Sequence, residues 1–314
     1  MDERKITTER IDVAPRPASQ FASEVAADLE YAITFLERWM ARPFARTSRP
    51  RAALDVLRDA IDTKKFTPGE RGSDEALRAL QLALDLKAIV AGLPPQRVAD
   101  LRRELEICAD GPLMPVENLQ PLQAQSQLVV RAALAKAGIE PSQPSHSGSK
   151  SRKKPDILVE DLNHVYAIEV KRPSAGRNVA PRAMDASSQI KGAGLRGGVV
   201  IDATDCIIDS SPAAADAELL DLLYEASSSF FSDDTGVRPG HGHIMFLLLF
   251  ARPAWTIEYA SQREGQIVVH NSSAGIAYGA VKGTLPHIKG QWLRERIGLG
   301  LNMLGFTALE AERT

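Results

Sequence analysis

Residues 155–173 read PDILVEDLNHVYAIEVKRP, and this stretch decides the fold. Two β-prone runs flank a short polar turn from Asp161 to His164, the pattern of a hairpin. With the turn centred between Leu162 and Asn163, the pairing sets Asp156 opposite Glu169. Directly opposed residues bring their Cβ atoms to roughly 4.5–5.5 Å. Side chains alternate between faces along a strand. One face therefore carries Asp156, Leu158, Ala167, Glu169 and Lys171. The other carries Ile157, Val159, Tyr166, Ile168 and Val170, apolar enough to pack on helices. A single register thus explains one buried face and one charged face.

Two carboxylates this close repel unless a positive charge lies between them. Mg²⁺ or Mn²⁺ suits the place, because hard cations take oxygen ligands and often only one or two protein carboxylates. Asp156 and Glu169 are the candidate ligands, and the backbone carbonyl of Val170 is a further one. A metal there can polarise a phosphoryl oxygen and lower the pKa of a bound water. Lys171 is placed to orient or deprotonate that water and to offset charge developing on a phosphorane.

Upstream of the hairpin, residues 141–154 (PSQPSHSGSKSRKK) form a Pro-, Ser- and Gly-rich loop with a cationic end. The whole chain has a net charge of −2, yet residues 142–200 hold ten basic side chains against five acidic ones. That excess surrounds the hairpin, where a phosphate backbone would lie. Lys150, Arg152, Lys153, Lys154, Arg172 and Arg177 are the candidates to hold it. Such contacts give salt-dependent affinity without sequence choice.

Downstream, helical patterns at about 181–191 and 213–230 alternate with strand-like runs at 198–201 and 243–250. The order predicts an α/β (α+β) fold with a mixed sheet. Gly192 to Gly197 (GAGLRG) matches a dinucleotide fingerprint in spacing, but it follows a helix and precedes a strand, the reverse of that turn. It is read as a helix-to-strand connection. His241 and His243 lack a third metal ligand and read as loop residues, and Asp202 and Asp205 read as turn and cap residues.

Before the hairpin, residues 1–20 read as a disordered arm and residues 21–110 as an α-helical domain, with helices at 21–40, 51–61, 73–90 and 95–108. Residues 111–254 form the core, opening with a helix at 119–136, and residues 255–314 read as a C-terminal extension packed on it. The 314 residues are 44% hydrophobic and 25% charged, which allows a sizeable core. Cys108 and Cys206, with no zinc-like spacing around them, suggest free thiols in a reducing compartment. The first residues contain no apolar h-region, and the longest strongly apolar run, Ile244 to Phe250, is too short for a bilayer. A cytoplasmic protein without a membrane partner is expected.

Pro155-Asp156, twelve residues, then Glu169-Val170-Lys171 resembles the signature of the PD-(D/E)XK, restriction endonuclease-like nucleases. The resemblance covers roughly residues 119–250. It implies a central mixed sheet flanked by helices, here preceded by the α-helical N-terminal domain. It implies that Asp156 and Glu169 hold a divalent metal and that Lys171 serves the attacking water. Many members carry a Gln on the following helix, a place taken here by Gln189 in DASSQIKGA. The family's opening helix often bears a Glu, whereas the helix here offers Glu117 near its start and Gln123, Gln125 and Gln127 within it. The expected activity is Mg²⁺-dependent hydrolysis of nucleic acid, DNA before RNA, in restriction, repair or phage defence. A homodimer or a defence-complex partner is an expected associate. The alternative is an inactive nucleic-acid-binding or regulatory subunit on the same fold.

Overall fold

The structure is a computed structural model that describes residues 6–7, 18–63, 73–114, 118–142, 154–161, 164–207, 212–232, 236–252, 255–258, 267–270, 274–278, 285–305, 307–308 and 310–311. The chain forms two compact units. One comprises Met1–Arg10, Ala133–Ala251 and Ser273–Thr314, and the other comprises Ile11–Ala132 and Arg252–Ser272. The division therefore falls at neither 111 nor 255. The tail is split, because the antiparallel pair Trp255–Glu258 with Ile267–His270 goes with the helical unit.

The first unit is built on a seven-stranded mixed sheet whose spatial order repeats the chain order. Its strands are β1 (Pro141–Ser142), β2 (Ile157–Asp161), β3 (His164–Lys171), β4 (Arg196–Asp202), β5 (Ile244–Ala251), β6 (Ala274–Tyr278) and β7 (Thr307–Ala308). β1 runs antiparallel to β2, and β2 antiparallel to β3. β3, β4 and β5 are mutually parallel, which demands long crossovers. β6 then runs antiparallel to β5, and β7 runs parallel to β6.

The sequence dictates this arrangement locally. β5 (IMFLLLFA) is buried at all eight positions, as a central strand covered on both faces must be. The helix following β3 buries Ala183, Ala186, Ser187 and Ile190, one face at helical spacing. It ends at Gly194, whose φ of 72° lies in the left-handed region that glycine tolerates. Gly198 has a different task. A Cβ there would run into the ring of Phe246 on β5. The glycine-rich run is thus a helix stop followed by a close strand approach, as its position between helix and strand implied.

The helices are α1 (Ala18–Met40), α2 (Arg49–Thr63), α3 (Ser73–Gly92), α4 (Pro95–Asp100), α5 (Arg102–Ala109), α6 (Gln120–Lys136), α7 (Val179–Ala193), α8 (Pro212–Ser228) and α9 (Leu285–Met303). α7 packs on β3 and β4, α8 on β5, and α9 on β5 and β6. α1, α2 and α3 pack on one another in the helical unit. Within that unit lies a buried polar chain. Arg49 donates to the Cys108 carbonyl at 2.8 Å and to Gln125 at 3.2 Å, and Gln125 donates to Asp85, which also faces Arg252 at 3.4 Å. Residues 1–20 are not wholly an unstructured arm. Ile6–Thr7 pairs with Glu310–Ala311, and α1 already begins at Ala18. No described helix is long and apolar enough to cross a membrane.

Candidate active site

The hairpin register is the one its alternation predicts: Ile157 pairs with Ile168, Leu158 with Ala167, and Asp161 with His164. Asp156, one residue before β2, therefore faces Glu169. Its backbone N–H donates to Glu169 Oε1 at 3.2 Å, while the Val170 N–H donates to Asp156 Oδ2 at 3.0 Å. Each carboxylate is held by the backbone of the other's strand. Lys171, two residues beyond Glu169, lies between them, with Nζ 2.9 Å from Glu169 Oε2 and 3.6 Å from Asp156 Oδ2. The sum of those two legs is the furthest apart these oxygens can be. That keeps both carboxylates within reach of one small cation, given metal–oxygen bonds of about 2.1 Å and modest side-chain rotation.

Burial is where the charged face departs from expectation. β3 is buried at five consecutive positions, Tyr166 to Val170, so both of its faces are covered. Glu169 is fully buried. Burial, then the negative charge of Asp156, pushes its carboxyl up to about 8, although Lys171 pulls the other way. The group sits at the carboxyl end of a parallel strand, the edge where open α/β sheets bind ligands. Hard oxygen donors, with one carboxylate under electrostatic stress, fit Mg²⁺ or Mn²⁺. Among the described residues no cluster of three or more His, Cys, Asp or Glu adds a further ligand.

The next residue behaves differently. The Arg172 side chain is buried and forks onto Asp205, with Nε to Oδ2 at 2.7 Å and an NH2 contact to Oδ1 at 3.1 Å. It also lies 3.3 Å from Asp202 Oδ2. Asp202 in turn accepts from the Thr204 backbone N–H at 3.1 Å and from its hydroxyl. Arg172 is therefore not a phosphate-gripping residue. It is a buried clamp between the ends of β3 and β4, and Asp202 and Asp205 are more than turn residues. The nearby Cys206 thiol is pushed up to about 12 by burial and these acids, and it donates to the Pro173 carbonyl at 3.6 Å.

Of the other predicted contacts, Arg177 lies exposed in the short turn Gly176–Asn178, and Lys154 is exposed just ahead of Pro155. Lys150, Arg152 and Lys153 lie outside the described residues. Gln189 is on α7 at the margin of its buried face. Its Oε1 is buried without a hydrogen-bond partner, and no hydrogen bond joins it to Asp156, Glu169 or Lys171 among the described residues. Ser187, which the sequence did not single out, receives both loop histidines. His243 Nε2 lies 2.9 Å from its Oγ and 3.0 Å from its carbonyl, and His241 Nδ1 lies 3.5 Å from the Oγ. Burial holds His243 below the usual imidazole range.

No family model and no curated protein matches the chain. Among solved structures, a chain of the "CdiA-CT/CdiI toxin and immunity complex from Burkholderia pseudomallei" is 16% identical, with a TM-score of 0.24, over 50% of this chain and 92% of that one. A likeness that slight bears on neither fold nor function.

Proposed function

We propose that the chain is a Mg²⁺- or Mn²⁺-dependent nuclease of the PD-(D/E)XK, restriction endonuclease-like kind. It hydrolyses phosphodiester bonds in nucleic acid, DNA before RNA, in restriction, repair or phage defence. One observation carries the reading. A lysine stands between two facing carboxylates, one of them fully buried, at the carboxyl end of a parallel strand. The mixed sheet with helices packed on it supports the same reading.

Asp156, Glu169 and the Val170 carbonyl would hold the metal, which when bound supplies a polarised phosphoryl oxygen and a more acidic water. Glu169 sheds its proton to serve as a ligand, a step that any nearby positive charge favours. Lys171 turns its ammonium toward the attacking water and the charge that develops on phosphorus. Gln189, whose buried amide oxygen has no hydrogen-bond partner among the described residues, orients water or phosphate. Arg177 and Lys154, with Lys150, Arg152 and Lys153 on the preceding loop, hold the backbone.

The test is a panel of single- and double-stranded DNA and RNA, incubated with Mg²⁺, Mn²⁺ or chelator. Wild type should cut at least one substrate with metal, and Glu169→Ala should not. Metal-independent cutting, or equal cutting by the variant, would refute the mechanism.

A second reading rests on the same triad. Lys171 already neutralises part of the carboxylate charge, so the three groups can persist as an internal ion cluster in a nucleic-acid-binding subunit that does no chemistry. Calorimetric titration separates the two. The nuclease binds Mn²⁺ and loses that binding with Glu169→Ala, whereas the binding subunit retains nucleic acid with or without metal.

A further inference from the structure

We propose that the outer face of α9 is a self-association surface, on which two copies of the chain pair with their α9 helices parallel. The inference stands apart from the hairpin chemistry and rests on the faces of one helix. α9 runs for 19 residues. It buries Leu293, Ile297 and Leu301, a row at i, i+4 and i+8 on the side that packs on β5 and β6. Two glycines hold that inner side close. A Cβ on Gly290 would run into Met245 of β5, and one on Gly300 into the carbonyl of Ala133 in α6. The helix is thus fixed in rotation, and what lies opposite Ile297 faces outward.

That outward side is apolar too. At 3.6 residues per turn, Trp292, Leu299 and Met303 lie about 200–240° round the helix from Ile297. Leu299 is 48% exposed, Met303 is 50% exposed, and Trp292 is half-buried. A surface helix ordinarily turns charged and polar residues away from the core, whereas a helix that is apolar on opposite faces is one covered on both.

The charges beside the stripe say what covers it. Glu295 lies along one edge and Arg296 along the other, and both are exposed. Glu295 accepts from Gln291 Nε2 at 2.8 Å, a neutral partner. Arg296 has no ion-pair partner among the described residues. Lys289 is on the Arg296 edge, tied back to Asp161 and 5.2 Å from the centre of the Trp292 ring. The stripe therefore has an acidic edge and a basic edge. A two-fold axis parallel to the helix turns the acidic edge of each copy toward the basic edge of the other, so Glu295 meets Arg296 twice. An axis across the helix would pair the copies antiparallel and set acid against acid and base against base. The stripe is complementary to itself in the parallel sense alone, and a second copy of this chain is the partner it fits.

One helix face makes a modest interface, so the expected dimer is of micromolar affinity. Sedimentation equilibrium of the full chain in chelator, from low micromolar to several hundred micromolar, tests this. The molar mass should climb from 34.1 kDa toward twice that value. Leu299→Asp, a change at an exposed position, should raise the dissociation constant at least about tenfold while the melting temperature of the dilute monomer stays at the wild-type value. Glu295→Arg and Arg296→Glu should each weaken the dimer about tenfold, because either change sets like charges against each other on both edges. The double swap Glu295→Arg with Arg296→Glu should restore affinity close to wild type. A chain that stays monomeric throughout the range overturns the proposal, as does a dimer indifferent to Leu299→Asp. Single swaps without effect, or a double swap that fails to rescue, overturn the parallel pairing.

Discussion

Lys171 and Arg172 are consecutive residues at one strand end, and each lies among two carboxylates. The outcomes are opposite. Arg172 spreads a planar fork over Asp205, leaves a third nitrogen for Asp202, and meets an acid whose other oxygen Thr204 already satisfies. That cluster pairs one cation with both acids, the contact to Asp202 being an ion pair rather than a hydrogen bond. Lys171 offers one compact charge to two carboxylates, 2.9 Å from one and 3.6 Å from the other, and leaves Glu169 with its carboxyl raised to about 8. Equal charge counts thus give a strut in one case and an unsettled site in the other. The difference lies in donor geometry, since a guanidinium matches carboxylates two at a time and an ammonium does not.

The sharpest way to break this comparison is to truncate each cation in turn. On the proposed mechanism, Lys171→Ala should lower metal-dependent cleavage by about 10²–10⁴-fold, with the circular dichroism spectrum and urea midpoint close to wild type. Arg172→Ala should do the reverse. It strands two buried aspartates and should cost about 3–5 kcal/mol in urea unfolding, with any loss of activity tracking the loss of folded protein. If Arg172→Ala folds normally and only activity falls, the strut assignment fails and the arginine belongs to the site.

A smaller effect follows from the raised carboxyl of Glu169. In chelator, the folded state keeps this proton up to about pH 8, whereas the unfolded chain releases it near 4.5. Between those values the folded state binds the extra proton, so stability falls as pH rises and levels off above about 8. The loss is on the order of a few kcal/mol. Urea melts at about pH 5 and about pH 9 should differ in wild type, and Glu169→Gln should remove most of that difference. Because metal binding requires the deprotonated carboxylate, Mn²⁺ affinity should strengthen over the same interval. A pH-flat wild type would mean that the carboxylate is already settled, as in the Arg172 cluster.

The comparison also explains what the sequence could disclose. The hairpin register was legible because strict alternation around a short turn admits one pairing, and the two carboxylates follow from it. Most helices were legible from spacing, to within a few residues, but the single helix read at 95–108 breaks at Leu101 into α4 and α5. Arg172 was not, because its partners Asp202 and Asp205 lie at the end of another strand, thirty or more residues on. A linear reading meets only a Lys-Arg pair closing a basic stretch. The burial of Glu169 was missed for a related reason. A hairpin with one apolar face looks like a sheet edge until β4 pairs along its free side and makes β3 an interior strand of a sheet on which helices pack. The buried chain from Arg49 through Gln125 and Asp85 to Arg252 joins four separate segments and carries no local signature at all.

The smallest predicted effect lies five residues beyond Arg172, at exposed Arg177. If this side chain holds phosphate as proposed, Arg177→Ala should leave the urea midpoint unchanged and weaken DNA binding to the same degree for every sequence. The slope of log affinity against log salt should shrink by about one, the signature of a single lost phosphate contact. Binding measured by fluorescence anisotropy at several salt concentrations gives that slope directly. Arg172→Ala, corrected for its folded fraction, should leave the slope unchanged, because its guanidinium faces aspartates rather than solvent. Two arginines of the same basic stretch would then be told apart by one measurement. An unchanged slope for Arg177→Ala would remove the exposed turn from the nucleic-acid surface and shift that role to the loop before Pro155.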